Sequence, residues 1–299
     1  MAPMHWRYLR WSSDSIDYNQ GADAMKNRVD LETCYYELVA DGVALLTMNR
    51  PDRGNGVVPE MARDLLNALA TLEQDNTVRV LVLTGAGRQF CAGADLIEFQ
   101  RYIEERLPIE HEPYNARVLW PVTQRLVACR LPVVAAINGG ATAGGLDLAL
   151  ACDIRIASAK AKMGETYIKL GLNPGNGGTY FLPRLVGSGL AAEMALTGDI
   201  LDAQRALEIG LVNRVVEPEL LLTESIGLAA RIAAHPRLAL EATKQQLRQS
   251  WHLDLISSMT ASFWGVAAMS HTEDLKEGIA AAREKRAPRF NAQDKKGSS

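Results

Sequence analysis

The apolar positions of this chain fall into short runs that follow two rhythms. Residues 35–39 and 43–48 are β-prone and are joined by Asp41-Gly42. That dipeptide suits the primed turn of a tight hairpin. Next, Met61, Leu65, Leu66, Leu69 and Leu72 form a helical stripe, and Pro59 fits its first turn. Residues 80–83 are a continuous apolar strand closed by Thr84-Gly85, whereas 101–113 are charged, carry Pro108 and Pro113, and read as a loop or broken helix. A helical pattern over 114–128 leads to a buried strand at 133–137, a glycine-rich turn and another helix. Ile154, Ile156 and Ala157 resume the strand rhythm. This order predicts an α/β fold with mostly parallel pairing. Beyond about Asp199 the strand signal fades. Asp202 and Gly210 suit the two caps of a helix over 203–209, and helical stripes dominate to about Arg286. A helical C-terminal region on an α/β core is therefore expected.

Composition narrows the class without naming it. A length of 299 residues allows one large domain or two smaller ones. Hydrophobic residues at 47% and charged residues at 22% are ordinary for a soluble globular protein. A net charge of −3 argues against a nucleic-acid partner and against an anionic membrane surface. No apolar run is long enough to span a bilayer. Cys34, Cys91, Cys129 and Cys152 are far apart and form no CxxC pair, so they read as reduced, mostly buried thiols of a cytoplasmic protein. The five histidines show no metal-ligand spacing, and no metal is expected. Residues 1–30 lack the apolar core and cleavage site of a secretory signal; they read as an extension or a docking arm. No G-x-G-x-x-G follows a strand and no phosphate-binding G-x-x-x-x-G-K-[ST] is present, which removes support for a nucleotide enzyme.

The chemistry concentrates in two stretches. One is Phe90-Cys91-Ala92-Gly93-Ala94-Asp95-Leu96; the other runs from Asn138-Gly139 through Gly144-Gly145-Leu146-Asp147 to Asp153. Each reads as a strand, a small-residue turn and a helix start. Small residues leave backbone N–H groups uncovered, so an oxygen of another molecule can approach closely. Two such turns can aim two donors at one carbonyl oxygen and stabilise an enolate or oxyanion.

The ordered motifs closely resemble the crotonase (enoyl-CoA hydratase/isomerase) superfamily over roughly residues 33–290. Arg50-Pro51 with Asn55, Phe90 to Leu96, Asn138-Gly139 with Gly144-Gly145, and Leu170-Gly171 with Pro174-Gly175 and Gly177-Gly178-Thr179 follow its motifs in order. Leu196-Thr197-Gly198 with Ala203 and Gly210-Leu211-Val212 continue the series, and Glu284-Lys285-Arg286 with Pro288 and Phe290 ends it. The resemblance implies a ββα spiral core and a C-terminal helical region that assembles homotrimers or hexamers. It divides the chain into an extension (1–32), a core (33–225), an oligomerisation region (226–290) and a flexible tail (291–299). It implies an acyl-CoA thioester as substrate, with coenzyme A part of that substrate and no further cofactor. The N–H groups of Ala94 and Gly144 would then bind the thioester oxygen. Arg53, Ala92, Ala94, Leu96 and Gly144 fall where the family contacts its substrate, and Lys285 where a neighbouring subunit reaches the CoA phosphates.

The chain departs from the family at its acids. The typical hydratase uses two glutamates that share one water; here those positions hold Asp147 and Tyr167. An aspartate can still move a proton if geometry compensates for its shorter reach. Tyr167, with an ordinary pKa of about 10, would be neutral and able to donate a hydrogen bond, or would simply be pocket wall. Glu165 would share the Tyr167 face in an extended segment but not in a helix. Asp95 reads as a helix cap, His111 as a solvated loop residue, and Trp120 and Phe99 as pocket or core groups. The expected function is an acyl-CoA enzyme working through a stabilised enolate, most readily a hydratase. Double-bond isomerisation, decarboxylation or hydrolysis of a CoA ester are the alternatives, followed by a non-catalytic acyl-CoA or RNA binder.

Overall fold

A computed structural model describes residues 28–105 and 114–292. The hairpin expected around Asp41-Gly42 is present as β2 (Cys34–Ala40) and β3 (Val43–Met48), with β1 (Val29–Asp30) added at the edge. Helix α1 (Pro59–Gln74) has Pro59 at its first turn and buries Met61, Leu65, Leu69 and Leu72. There follow β4 (Val80–Gly85), β5 (Gln89–Cys91), α2 (Leu96–Glu104), α3 (Tyr114–Ala128), β6 (Val133–Ile137) and β7 (Gly140–Thr142). Then come α4 (Gly144–Ala151), β8 (Ile154–Ser158), β9 (Lys162–Gly164), α5 (Gly178–Val186), α6 (Ser188–Thr197), β10 (Leu201–Asp202), α7 (Ala203–Glu208) and β11 (Arg214–Val216). Four helices complete the described chain: α8 (Leu221–Ala233), α9 (Arg237–Gln249), α10 (Leu255–Met269) and α11 (Glu273–Glu284).

The strands form two sheets. The larger has the order β1-β2-β3-β4-β6-β8-β11 and is parallel from β3 onward; the smaller has the order β10-β9-β7-β5, with β5, β7 and β9 parallel. Strands β3, β4 and β6 are buried along their whole length, as expected where both faces of a parallel sheet are covered. One face packs with α1, α3 and α4 in the main core; the other carries Val43, Val80, Val82 and Val134 against Ala229 and Ala233 of α8. This is the α/β architecture with a helical C-terminal region.

One sequence expectation needs correction. Strands β10 and β11 lie beyond Asp199, where the apolar rhythm had faded. They are only two and three residues long, too short to show an alternation, and are recruited by pairing with β9 and β8. Helix α2 also runs through Glu104 into the charged stretch, because Asp95 caps its start and ion pairs from Arg101 to Glu98 and Glu105 line its exposed side. The expected N-terminal arm (residues 1–27) and the loop at His111 lie outside the described residues. The four cysteines are free and buried, and burial pushes each thiol up to about 12. No helix among the described residues is long and apolar enough to cross a membrane.

Candidate active site

The first glycine turn links β5 to α2 and is tied down from several sides. Asn55, itself at φ 53°, accepts from Arg50 N–H at 2.9 Å and donates to the carbonyls of Ala86 (2.9 Å) and Gln89 (2.7 Å). The Arg50-Pro51…Asn55 motif is thus a clamp on the start of β5. Arg50 also pairs with Asp95 Oδ2 at 3.0 Å, while Asp95 Oδ1 caps α2 by accepting from Ile97 and Glu98 N–H. Asp95 is a cap, as its sequence position suggested. Within the turn, Ala92 N–H donates to Gly54 O and Asp95 N–H to Val57 O. Between them, Ala94 N–H donates to no backbone carbonyl among the described residues.

The second turn links β7 to α4. Ala143 sits at φ 48°, an uncommon backbone for a residue with a side chain, and its N–H is held by Gly164 O at 2.9 Å. Gly144 then opens a helix that is buried throughout, and its N–H likewise donates to no backbone carbonyl among the described residues. Two glycines let the turns meet. A Cβ on Gly145 would lie 1.9 Å from Cys91 O, and one on Gly93 would lie 3.0 Å from Gly144 N. The N–H groups of Ala94 and Gly144, neither given to a backbone carbonyl among the described residues, therefore belong to two turns in direct contact.

A cavity of about 500 Å³ lies at this junction. Arg53, Ala92, Ala94 and Leu96 line it, together with Phe99 and Tyr167, whereas Gly144, also expected at the substrate, is buried one residue behind the lining residue Ala143. Lys169, which sequence reasoning did not single out, is a second cation on the cavity wall besides Arg53. Lys285 does not line this cavity; it ends α11 in a left-handed conformation at φ 54° and is exposed. Trp120 is 43% exposed, and its indole N–H donates to Gly175 O. It is neither core nor cavity wall, because that bond draws the ring out to the 174–178 loop.

Behind the cavity wall lies a buried polar cluster. Asp147, in the first turn of α4, is wholly buried and does not line the cavity. Tyr167 stands between: its hydroxyl donates to Asp147 Oδ2 at 2.6 Å and accepts from Asn176 Nδ2 at 2.5 Å. Asn176 was not anticipated, although it occupies the variable place inside the Pro174-Gly175…Gly177-Gly178 segment. Glu165 precedes the 3₁₀ helix Thr166–Leu170 and is also wholly buried. It is neither in a strand nor in the helix, and both it and Tyr167 face Asp147. A Cβ on Gly178 would lie 2.7 Å from Asp147 Oδ1 and 2.7 Å from Glu165 Oε1, so the two carboxyl groups converge over a bare backbone.

The electrostatics follow from burial. Desolvation raises the Asp147 carboxyl above the ordinary carboxylate range, although the Tyr167 hydroxyl, Glu165 and the backbone at Asn176 and Gly178 favour its charge. Desolvation raises Glu165 further, with the Asp147 charge adding to it. Tyr167 is also raised, by burial first and then by Asp147, so it stays a neutral phenol at neutral pH. Among the described residues no group of three His, Cys, Asp or Glu side chains could hold a metal ion.

Two touching turns with uncovered N–H groups, beside a cavity backed by a desolvated carboxylate, define an enzyme site suited to proton transfer next to a polarised carbonyl. Comparison with known proteins agrees. A sequence model described as enoyl-CoA hydratase/isomerase matches residues 39–293. A crotonyl-CoA hydratase of Syntrophomonas wolfei is 37% identical over 250 residues, covering 83% of this chain and 94% of that protein. A 1,2-epoxyphenylacetyl-CoA isomerase of Escherichia coli is 38% identical, covering 84% of this chain and 96% of its own length. The crystal structure of an enoyl-CoA hydratase subunit from Geobacillus kaustophilus superposes with a TM-score of 0.81 at 36% identity, covering 88% of this chain and 99% of that one. The chain belongs to the enoyl-CoA hydratase/isomerase family of the crotonase superfamily, and it is an enzyme of that family.

Proposed function

We propose that this enzyme adds water across the double bond of an enoyl-CoA thioester. The observation that carries this reading is the contact between the two turns that leave Ala94 and Gly144 N–H uncovered beside the cavity. The thioester oxygen bridges these two donors, which stabilises the enolate formed when a nucleophile adds to the β-carbon. Asp147, acting beside or through the Tyr167 hydroxyl, takes a proton from the attacking water and returns one to the α-carbon. One carboxylate serves both steps in turn, so the reaction does not require the second glutamate and needs no cofactor beyond the coenzyme A of the substrate. Arg53, Ala92 and Leu96 contact the CoA moiety at the cavity. Relatives named crotonyl-CoA hydratase and short-chain-enoyl-CoA hydratase support hydration. The isomerase reading keeps one specific support, the lone carboxylate, which can also shuttle a proton between two carbons of the same substrate. The buried free thiols fit a cytoplasmic enzyme.

The test is product analysis with crotonyl-CoA and a 3-enoyl-CoA offered separately. Formation of a 3-hydroxyacyl-CoA from crotonyl-CoA is expected. Conversion of the 3-enoyl ester to the 2-enoyl ester without net hydration would select the isomerase.

We also infer a homotrimer, or a hexamer of two trimers, built on the helical C-terminal region. Support comes from α10, which leaves Leu255, Ile256, Phe263 and Trp264 each more than 60% exposed in the single chain, and clustered exposed apolar side chains of this kind mark interaction surfaces. A trimer or hexamer is expected by light scattering. Lys285→Ala is expected to weaken CoA-ester binding more than it slows turnover, as for a contact remote from the reacting carbon. A monomer that turns over acyl-CoA would overturn both expectations.

A further inference from the structure

We propose that Glu165 is a positioning residue that works in its neutral form: it donates its proton to Asp147 Oδ1 and so fixes the carboxylate with Oδ2 toward Tyr167. This deepens the reading of Asp147 as the proton-transfer group and rests on it.

The geometry is the starting point. Asp147 Oδ1, Glu165 Oε1 and Glu165 Oε2 are buried, and none has a partner in good hydrogen-bond geometry, although the backbone at Asn176 and Gly178 gives the Asp147 carboxylate some support. Three unsatisfied carboxyl oxygens in one buried pocket are costly if both groups are ionised. Oδ1 and Oε1 converge over Gly178, where any side chain would meet both. A single proton held by Glu165 removes the repulsion and supplies the donor that Oδ1 lacks. The groups facing Glu165 are Asp147 from α4, Tyr167 from the 3₁₀ helix and the backbone at Gly178. The charge that acts most strongly on Glu165 is that of Asp147, a like charge. Burial and that like charge both favour the protonated form, in the same direction as the geometry.

Asp147 is then a carboxylate with a neutral donor on each oxygen, Tyr167 on Oδ2 and Glu165 on Oδ1. Both bonds stabilise its charge against desolvation, so it stays ionised at neutral pH. Tyr167 occupies one family glutamate position and Glu165 lies two residues before it. The glutamate here serves the base from behind rather than holding the water.

The test compares Glu165→Gln and Glu165→Leu with the wild type. Infrared difference spectra of the substrate-free wild type minus Glu165→Gln at neutral pH are expected to contain the carbonyl stretch of a protonated carboxyl group. This readout needs no turnover, so it decides the protonation of Glu165 even if enoyl-CoA proves not to be the substrate. For turnover, Glu165→Gln keeps a neutral donor and is expected to retain kcat/KM within about threefold and to keep the acid limb of the pH profile. Glu165→Leu removes the donor. It is expected to lose about tenfold or more, the worth of a bond to a charged group, and to move the acid limb up by about one pH unit or more. The wild type is expected to lose activity at alkaline pH as Glu165 ionises, whereas Glu165→Gln does not. Absence of the carboxyl band would overturn the proposal. So would a folded Glu165→Gln enzyme as inactive as Glu165→Leu, which would make Glu165 a working base. A Glu165→Leu profile identical to that of the wild type would also overturn it. If Glu165→Leu does not fold, the infrared difference and the alkaline limb of Glu165→Gln still decide.

Discussion

Asp147→Asn is expected to bind acyl-CoA esters as the wild type does and to lose turnover by about 10²–10⁴-fold, the usual worth of a positioned proton-transfer group. The substitution is nearly isosteric, and the residue is buried within α4 away from the cavity surface, so ester binding has no direct contact to lose. What disappears is the one carboxylate beside Tyr167 that can accept a proton from the cavity side. Exchange of the substrate α-hydrogen with heavy water, read by mass spectrometry, isolates that step from product release. Undiminished exchange in a folded Asp147→Asn enzyme would remove Asp147 from the mechanism. Tyr167→Phe is the informative companion. As a bond between neutral groups, the lost contact would be worth about 0.5–1.5 kcal/mol. In the structure the partner is a desolvated carboxylate at 2.6 Å, which raises the expected loss to about 1.5–3 kcal/mol, roughly 10- to 150-fold. A Tyr167→Phe defect larger than that of Asp147→Asn would move the essential proton to the phenol.

The reach of the sequence depended on whether a feature was local. Both glycine turns, the Asp95 and Asp202 caps and the two strands of the first hairpin are local rules written in adjacent residues, and they are present as read. Residues 114–128 were legible as a helix despite Pro121, because the apolar spacing continues across it. Short β10 and β11 were not legible, since pairing with β9 and β8 creates them. In the site, Asp147 and Tyr167 were marked by their motif places, but their contact spans twenty residues of sequence and depends on packing between α4 and the 3₁₀ helix. The role of Glu165 turned on local geometry: an extended segment and a helix put it on different faces, and the chain uses the residue just before a 3₁₀ helix. Asn176 had no signal beyond lying in a glycine-rich segment, next to Gly177 at φ 110°. Its amide matters only because Tyr167 is there to receive it.

The pair Gly144→Ala and Gly144→Pro is expected to separate the backbone donor from the space around it, with the proline variant about 10²–10³-fold lower in kcat than the alanine variant. Both substitutions add the same Cβ. It would lie 2.5 Å from Leu119 Cδ1, 3.2 Å from Asn176 Nδ2 and 3.3 Å from the Tyr167 hydroxyl. The Leu119 contact is with the end of a flexible side chain that can turn away. The other two are close enough to press on the Tyr167 cluster, so Gly144→Ala is itself expected to lose part of its turnover. Proline also removes the N–H, and closes its ring through the place of that hydrogen. Gly144 is the first residue of α4, where a helix has no use for that N–H and the proline ring angle is tolerated. The left-handed backbone of Ala143 is the point of strain before a proline, so circular dichroism and sedimentation must match for the two variants before rates are compared. With folding and assembly equal, the ratio of the two rates reports the loss of the N–H together with the small added bulk of the ring. A ratio near one would mean that Gly144 N–H holds no developing charge, and Ala94 would have to carry the oxyanion by itself.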